Sequence, residues 1–533
     1  SRRTVFNPRA CPLEIGEIFR EKFRAMVPRP KRPETVKIPE DDKRGEEVQP
    51  LPTTLDRELL RGVSMSTCLS GAAKHWADNG AGRNAQLKED YGLSRQASRL
   101  DHFLSHDWRT SRWKKYLSML VMFNLLPAAI VSSVVSLIVA IIACFTVGKH
   151  QLWTASFGYV TFLITLFQWQ WMREYFMKPT FVFLDKLCIA QHDPSLKEKG
   201  ISGLASFLLN SQSLTIFWSQ RYFTRLWCTY EIATYFKDDQ KKRLQLMPVA
   251  LSVQILLQAA MAHTMTWCYK ILVFLIWDVF SHLETIIIVS SVLLPIFTVL
   301  ATLQIYVTIG LLDDIAALPQ QLSNFSITAS ECYCCSVHHV HPETGDEIPC
   351  DRRVVFRTLQ DWYGRGDKED HLAAFDHLVK TRLKSIVLKQ LGGGALPLRY
   401  SLPVVLSATM PLLPLYLPEW AEGQPEYIDL HQFTFQIREL VEFFKAGLLV
   451  MLVSSLGTYA SYIGFRLKPY LSRLKAAMLL APAVTFSSLI FQLPIEVAFL
   501  LTLKNSLMVL IPFSANLLIC LLLLFPPACC CCK

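Results

Sequence analysis

Residues 181–193 read FVFLDKLCIAQHD. With 200–219 (GISGLASFLLNSQSLTIFWS) and 225–236 (RLWCTYEIATYF) they spell strand, loop, helix, strand and helix in that order. Phe181, Val182, Phe183 and Leu184 form an unbroken apolar run closed by Asp185, the pattern of a strand buried on both faces with a polar residue at its carboxyl end. Leu204, Phe207 and Leu208 then fall at helical spacing, and Leu214 to Trp218 give a second buried strand closed by Ser219. Leu226, Tyr230, Ala233 and Thr234 share one face of the next helix, and 244–251, with Pro248 inside it, is a weaker further strand. Outward on the other side, residues 101–108 (DHFLSHDW) supply the first strand of the unit and its loop. Alternating strands and helices imply a parallel sheet, whose ligands bind beyond the carboxyl ends of the strands. His106, Asp185 and Ser219 are expected to meet on that edge.

The rest of the chain does not read as soluble. Its 533 residues are 51% hydrophobic and only 18% charged, with a mean hydropathy of +0.28, which is the balance of a multi-pass membrane protein. The net charge of +10 raises the question of nucleic acid, but Lys and Arg lie mostly in loops flanking apolar runs, where they set membrane orientation; no nucleic-acid partner is expected. Runs long enough to cross a bilayer as helix fall at 117–146, 152–172, 261–280, 285–310, 399–417, 446–465, 476–500 and 506–527. That makes about eight spans. The 466–475 loop carries Arg466, Lys468, Arg473 and Lys475 and no acid, whereas the loop before it is rich in Glu. The positive-inside rule then places both termini, 173–260 and 311–398 in the cytosol, with the organelle undetermined.

With these pieces in order, the chain resembles the TIR (Toll/interleukin-1 receptor) domain family. The resemblance is carried by FLSHDW, by FVFLDKLCI followed by HDP, by SLTIFWS and by RLWCTYE. It covers about 98–116 and 179–255 and implies a flavodoxin-like α/β domain. In NAD-cleaving members the glutamate of the Trp-Cys-x-x-Glu motif is catalytic; that position here is Glu231, with Trp227 and Cys228 completing the motif. The resemblance further implies that Phe103, Ser105 and Trp108 line the pocket. Leu187 to Pro194, including His192 and Asp193, would be the mobile loop used in domain–domain contacts. Cleaving the nicotinamide–ribose bond develops oxocarbenium character, which a fixed carboxylate stabilises. The plain alternatives are a solvated helix glutamate for Glu231, core packing for Trp227 and a small buried thiol for Cys228. A hydrolase pairing His106 with Ser105 or Cys228 lacks an identifiable third partner. One departure from the family is evident: Trp113 to Met119, where a short soluble helix is usual, runs straight into the first apolar span.

Domain organisation follows. Residues 1–97 are a basic, proline-rich region expected to be disordered, since it has no apolar period to repay the entropy of folding. Then come the first strand and loop (98–116), a membrane hairpin (117–172), the remainder of the α/β domain (173–256), a second hairpin (257–310), a cytosolic Cys/His segment (311–398), four membrane helices (399–527) and a cysteine-rich tail (528–533). Gly80 to Gly82 fits no dinucleotide fingerprint. In the Cys/His segment, Cys332, Cys335, His338 or His341, and Cys350 are a candidate tetrahedral zinc set; the alternative is a reduced, membrane-proximal cysteine loop. Cys529, Cys530, Cys531 and Cys532 beside Lys533 read equally as an S-palmitoylation site or as a low-complexity tail. Asp278 and Glu496 sit near the outer ends of spans, where interfacial exposure is expected, and Asn124 is a candidate interhelical donor. No ladder of intramembrane charges is evident.

The sequence thus describes a multi-pass α-helical membrane protein carrying a cytosolic TIR-like parallel-sheet domain. The expected role is a signalling or scaffold module that self-associates or meets other TIR-like domains, with NAD as candidate substrate and zinc as candidate metal. The rival class is a channel or transporter in which the α/β domain is a regulatory sensor.

Overall fold

The computed structural model describes residues 49–77, 84–146, 152–238, 242–276, 279–340, 342, 345–364, 371–391, 398–422, 430–501 and 507–524. Six strands form one mixed sheet: β1 (Arg61–Ser64), β2 (Arg95–Gln96), β3 (Leu100–His106), β4 (Phe181–Phe183), β5 (Ser211–Trp218) and β6 (Arg243–Pro248). Their spatial order is β2-β1-β4-β3-β5-β6. β4, β3, β5 and β6 run parallel, while β1 pairs antiparallel with both β4 and β2.

Phe103 lies opposite Phe183 on one side and Leu214 on the other. The Phe103 and Phe183 rings stack with centroids 4.6 Å apart, and Phe207 closes on Phe183 at 4.4 Å. Two stretches separated by a long apolar hairpin are therefore hydrogen-bonded neighbours. The hairpin itself, Arg112–Phe145 and Trp153–Phe176, is the crossover between β3 and β4. Its first helix starts against the sheet at Arg112–Met119, passes a π-helical turn at Leu120–Asn124 and continues as Leu125–Thr146, so domain and membrane segment share one rod. Shorter helices link β4 to β5, and Leu226–Lys237 links β5 to β6.

The expectation of disorder before residue 98 is corrected from residue 49 onward. β1 and β2 extend the sheet, Ser64 caps the helix Met65–Ala73 by accepting from Thr67 N, and Val63, Met65, Cys68, Ala73 and Trp76 are buried. This segment escapes a periodicity search because its strand and kinked helix are each too short to show a period. The rest of the domain supplies its apolar partners. Residues 1–48, Gly80 to Gly82 and the cysteines at 529–532 lie outside the described residues.

Among the described residues six helices are long and apolar enough to cross a membrane: Arg112–Phe145, Val249–Ile276, Leu283–Ser323, Arg399–Pro418, Gln436–Leu467 and Arg473–Ala498. Of the eight expected, Trp153–Phe176 is helical but diluted by Gln168, Gln170 and hydroxyl residues, and Leu507–Leu523 is short. Asn124 acts as expected, its Nδ2 donating to Leu166 O at 2.8 Å, and Gln170 returns a bond to Asn124 Oδ1 at 2.9 Å. Gly158 lets three helices converge: a Cβ there would lie 2.3 Å from Ser136 Oγ and 2.9 Å from Pro411 Cα. Gly158→Leu is expected to separate the hairpin from the helix around Pro411, lowering the melting temperature of the detergent-solubilised protein by several degrees.

Segments outside the long apolar helices meet the later part of Leu283–Ser323 and one another. Gln220 Nε2 donates to Asp314 Oδ1 at 2.7 Å, Lys468 pairs with Asp313 at 2.8 Å, and Leu246 N in β6 donates to Gln390 Oε1 at 3.0 Å.

Candidate functional site

β3 ends at His106 and β5 at Trp218, and beyond these carboxyl ends opens a cleft of about 490 Å³. His106, Asp107 and Trp108 from the loop after β3, Asp185 and Lys186 after β4, and Trp227, Cys228 and Glu231 from the helix Leu226–Lys237 line it together. Glu231 is fixed from below. Ser105 Oγ donates to Glu231 Oε2, and the buried Tyr222 hydroxyl donates to Ser105 Oγ at 2.5 Å. On the far side of the cleft the Trp108 indole N–H donates to Asp185 Oδ2 at 2.9 Å, and Lys186 N donates to Asp185 Oδ1 at 2.8 Å. Apolar Leu87, Ile189, Ile201 and Leu204 form one wall, and Lys186, Lys197 and Arg225 make its rim basic.

Burial governs the protonation of these groups. Desolvation raises the Glu231 carboxyl to about 8; the Asp185 charge adds to this and the Ser105 hydrogen bond opposes it. Asp185 is raised by the same desolvation, against its bonds from Lys186 N and Trp108. Burial pushes His106 well below the usual histidine range, aided by Lys115, and pushes the Cys228 thiol well up. Cys228 is therefore a thiol, its Sγ donating to His106 O at 3.5 Å, and among the described residues His106 Nε2 has no hydrogen-bond partner. Ser105 bonds Tyr222 and Glu231, Cys228 Sγ bonds the His106 carbonyl, and the His106 ring Nδ1 meets Leu104 O, so the hydroxyl and thiol engage partners other than the His106 ring.

The expected site residues divide clearly. Trp108, Trp227, Cys228 and Glu231 share the cleft, as do His106 and Asp185, whereas Ser105 supports Glu231 from inside the sheet. Phe103 does not line the pocket: it is fully buried in the sheet, because it sits mid-strand between Phe183 and Leu214. Ser219 lies near the edge, accepting from Thr110 Oγ1 at 3.0 Å. In the expected contact loop Leu187 is fully buried and unavailable to a partner. Asp193 caps the helix Pro194–Ser202 by accepting from Ser195 N and Leu196 N, while His192 packs on Tyr91 at 5.6 Å and Pro194 is exposed.

Two contributors were missed by sequence reading. Trp76 wedges beneath the cleft, 4.7 Å from the His106 ring, and Lys186 Nζ donates to Ala77 O at 2.9 Å. The Cys/His segment is the second. Glu331 pairs with Arg221 at 2.5 Å and Arg225 at 3.8 Å, and both arginines also approach the buried Asp107. The helix Asp351–Tyr363 then covers Leu226–Lys237: Trp227 Nε1 donates to Asp351 Oδ2 at 3.1 Å, Tyr230 stacks on Trp362, and the Tyr363 hydroxyl donates to Ala233 O. The Cys-x-Cys-Cys run signalled a metal but not this docking.

The metal candidates are regrouped by the structure. Cys335 and Cys350 do approach, with sulfurs 4.0 Å apart, and Cys334 lies 4.0 Å from Cys335. His339 rather than His338 joins Cys334 and Cys350 with ligand atoms within 4.8 Å, and His341 is outside the described residues. His338 and His339 both adopt left-handed backbone, φ 53° and 60°, a costly conformation for non-glycine residues that turns the His339 ring back onto the cysteines. Cys332 Sγ lies 3.0 Å from Cys334 Sγ, and Cys332, Cys334 and Cys335 form a second group whose ligand atoms all lie within 4.8 Å of one another. Comparison of the chain with protein-family models, curated proteins and solved structures finds no match.

Proposed function

We propose that this is a membrane-anchored signalling protein whose cytosolic domain is TIR-like and cleaves NAD at Glu231. The observation that carries the reading is the carboxyl of Glu231 held by Ser105 at the floor of a cleft that also contains the loop His106–Trp108. The strand order supports it: numbered by appearance among the parallel strands, β4-β3-β5-β6 runs 2-1-3-4, the order of flavodoxin-type doubly wound sheets. The basic rim at Lys186 and Lys197 suits a pyrophosphate, and the ring of Trp227 suits a flat base. In this mechanism the nicotinamide–ribose bond breaks with its electron pair leaving on nicotinamide, ionised Glu231 stabilises the ribosyl cation, and water adds to the cation and gives up a proton to solvent, leaving ADP-ribose. A cationic nicotinamide ring entering the cleft draws Glu231 into its ionised form.

The membrane bundle raises the local concentration of the domains, so self-association controls output. The rod shared by β3's helix and the first span gives that coupling a rigid path. Both termini, the α/β domain and the Cys/His segment face the cytosol in this reading, by the basic 466–475 loop. Purified protein incubated with NAD is expected to release nicotinamide in proportion to enzyme; a protein that passes solutes in liposomes and leaves NAD intact would favour the channel or transporter reading instead.

In this reading Cys334, His339 and Cys350, whose ligand atoms lie within 4.8 Å of one another, hold one structural zinc ion with Cys335 beside them, and the ion pins the start of Asp351–Tyr363 against the cleft helix. About one zinc per chain is expected by elemental analysis, falling to background in the Cys334→Ser/Cys350→Ser variant. Zinc-supplemented protein that purifies metal-free would refute the assignment.

A further inference from the structure

We propose that the end of the helix bundle remote from the α/β domain binds an amphiphile with a zwitterionic headgroup and one acyl chain. A cavity of about 880 Å³ lies there among the helices 249–276, 282–323, 398–422, 430–467 and 473–501, within the range of small-molecule sites of about 300–1,000 Å³. Its two ends differ in chemistry. Toward the loops remote from the domain it is lined by Lys270, Lys445, Glu442, Glu496, Tyr269 and Tyr416; deeper in, by Met261, Leu293, Phe297, Leu449 and Val453. From Glu442 to Val453 along one helix is about 16 Å at 1.5 Å per residue, deep enough for most of an acyl chain.

The charges select the headgroup. Lys445 Nζ lies 2.8 Å from both Glu442 and Glu496, so this buried triad carries one surplus negative charge. Glu496 is thus paired and largely buried within the bundle, where exposure was expected; Asp278 lies outside the described residues. Lys270, facing the same space, bonds the Tyr416 hydroxyl and lies over the Tyr269 and Tyr416 rings at 5.5 and 4.7 Å. Among the described residues it has no carboxylate within 4.0 Å. Lys270, held by a hydroxyl and two rings with Glu496 acting on it only through space, is a seat for an anion, here a lipid phosphate, and the triad on the other side of the same space is a seat for the adjoining ammonium. Arg438 and Glu439 on the same rim offset one another in sign. A zwitterion satisfies both seats at once, and its chain fills the apolar floor.

The test uses the full chain in maltoside, read by native mass spectrometry and thermal shift, with four probes of equal chain length: lysophosphatidylcholine, diacyl phosphatidylcholine, lysophosphatidic acid and monoacylglycerol. Lysophosphatidylcholine is expected to give a one-to-one adduct and the largest stabilisation, with lysophosphatidic acid weaker and monoacylglycerol without effect. The diacyl arm separates sources: stabilisation equal to the lysolipid means a bilayer phospholipid inserts one chain, and none means a free lysolipid is the ligand. Lys270→Gln is expected to weaken lysophosphatidylcholine binding about tenfold, with Lys270→Arg retaining it. Val453→Trp, which fills the floor, should abolish binding while leaving the headgroup seats in place. Equal binding of monoacylglycerol, equal binding of lysophosphatidic acid, or Lys270→Gln protein that binds normally would overturn the proposal.

Discussion

Glu231→Gln is expected to abolish nicotinamide release from NAD, by about 10²- to 10⁴-fold in kcat/KM, the usual worth of a positioned catalytic carboxyl. Glutamine retains the size and the bond from Ser105 but cannot carry the charge that the ribosyl cation requires. The wild-type profile should also be diagnostic. With Glu231 raised to about 8 in the free protein, kcat/KM should climb with pH through that value as the carboxylate forms. Stability should move the other way. The folded value lies above the ordinary 4.5, so the group's contribution is fully present below pH 4.5 and is lost as pH rises toward about 8. Glu231→Gln should therefore melt like wild type at pH 4 and at a higher temperature than wild type at pH 9. An inactive variant lacking that alkaline stabilisation would mean that Glu231 is ionised in the resting cleft, and an active variant would remove it from the chemistry.

Lys445→Met is expected to cost about 3–5 kcal/mol, because it leaves Glu442 and Glu496 facing each other inside the bundle without their cation. Its melting temperature in detergent should drop and its yield fall. The triple variant Lys445→Met/Glu442→Gln/Glu496→Gln should recover most of the loss, since an apolar or neutral set of similar volume replaces a buried ion group at little net cost. If Lys445→Met alone melts like wild type, the triad is solvated and the polar end of the cavity is open to water.

Those two variants probe features of opposite legibility. Glu231 could be singled out from RLWCTYE, and its partner Ser105 from FLSHDW, only through the resemblance those stretches carry; no run or period marks either residue. The pairing of Lys445 with Glu496 could not: the residues are 51 positions apart, on helices whose rotation about their axes is set by packing alone. Hydropathy gives a span's length but not the face it turns inward. The same limit explains Phe103 and Leu187. Both belong to motifs read as functional, yet strand position and burial make them core.

Taken alone, the amino-acid order determined that apolar helices dominate, that strands 101–108, 181–184 and 214–218 belong to one parallel unit, and that His106, Asp185 and Ser219 stand toward its edge. Those are local properties, fixed by runs and periods of a few residues. Only the tertiary structure decided that β1 and β2 complete the sheet, that Asp351–Tyr363 roofs the helix bearing Glu231, that His339 rather than His338 faces the cysteines, and that a charged cavity lies within the bundle. Each of these depends on groups far apart in the chain whose burial becomes favourable only when the other is already in place. Such mutual dependence leaves no periodic trace in the sequence.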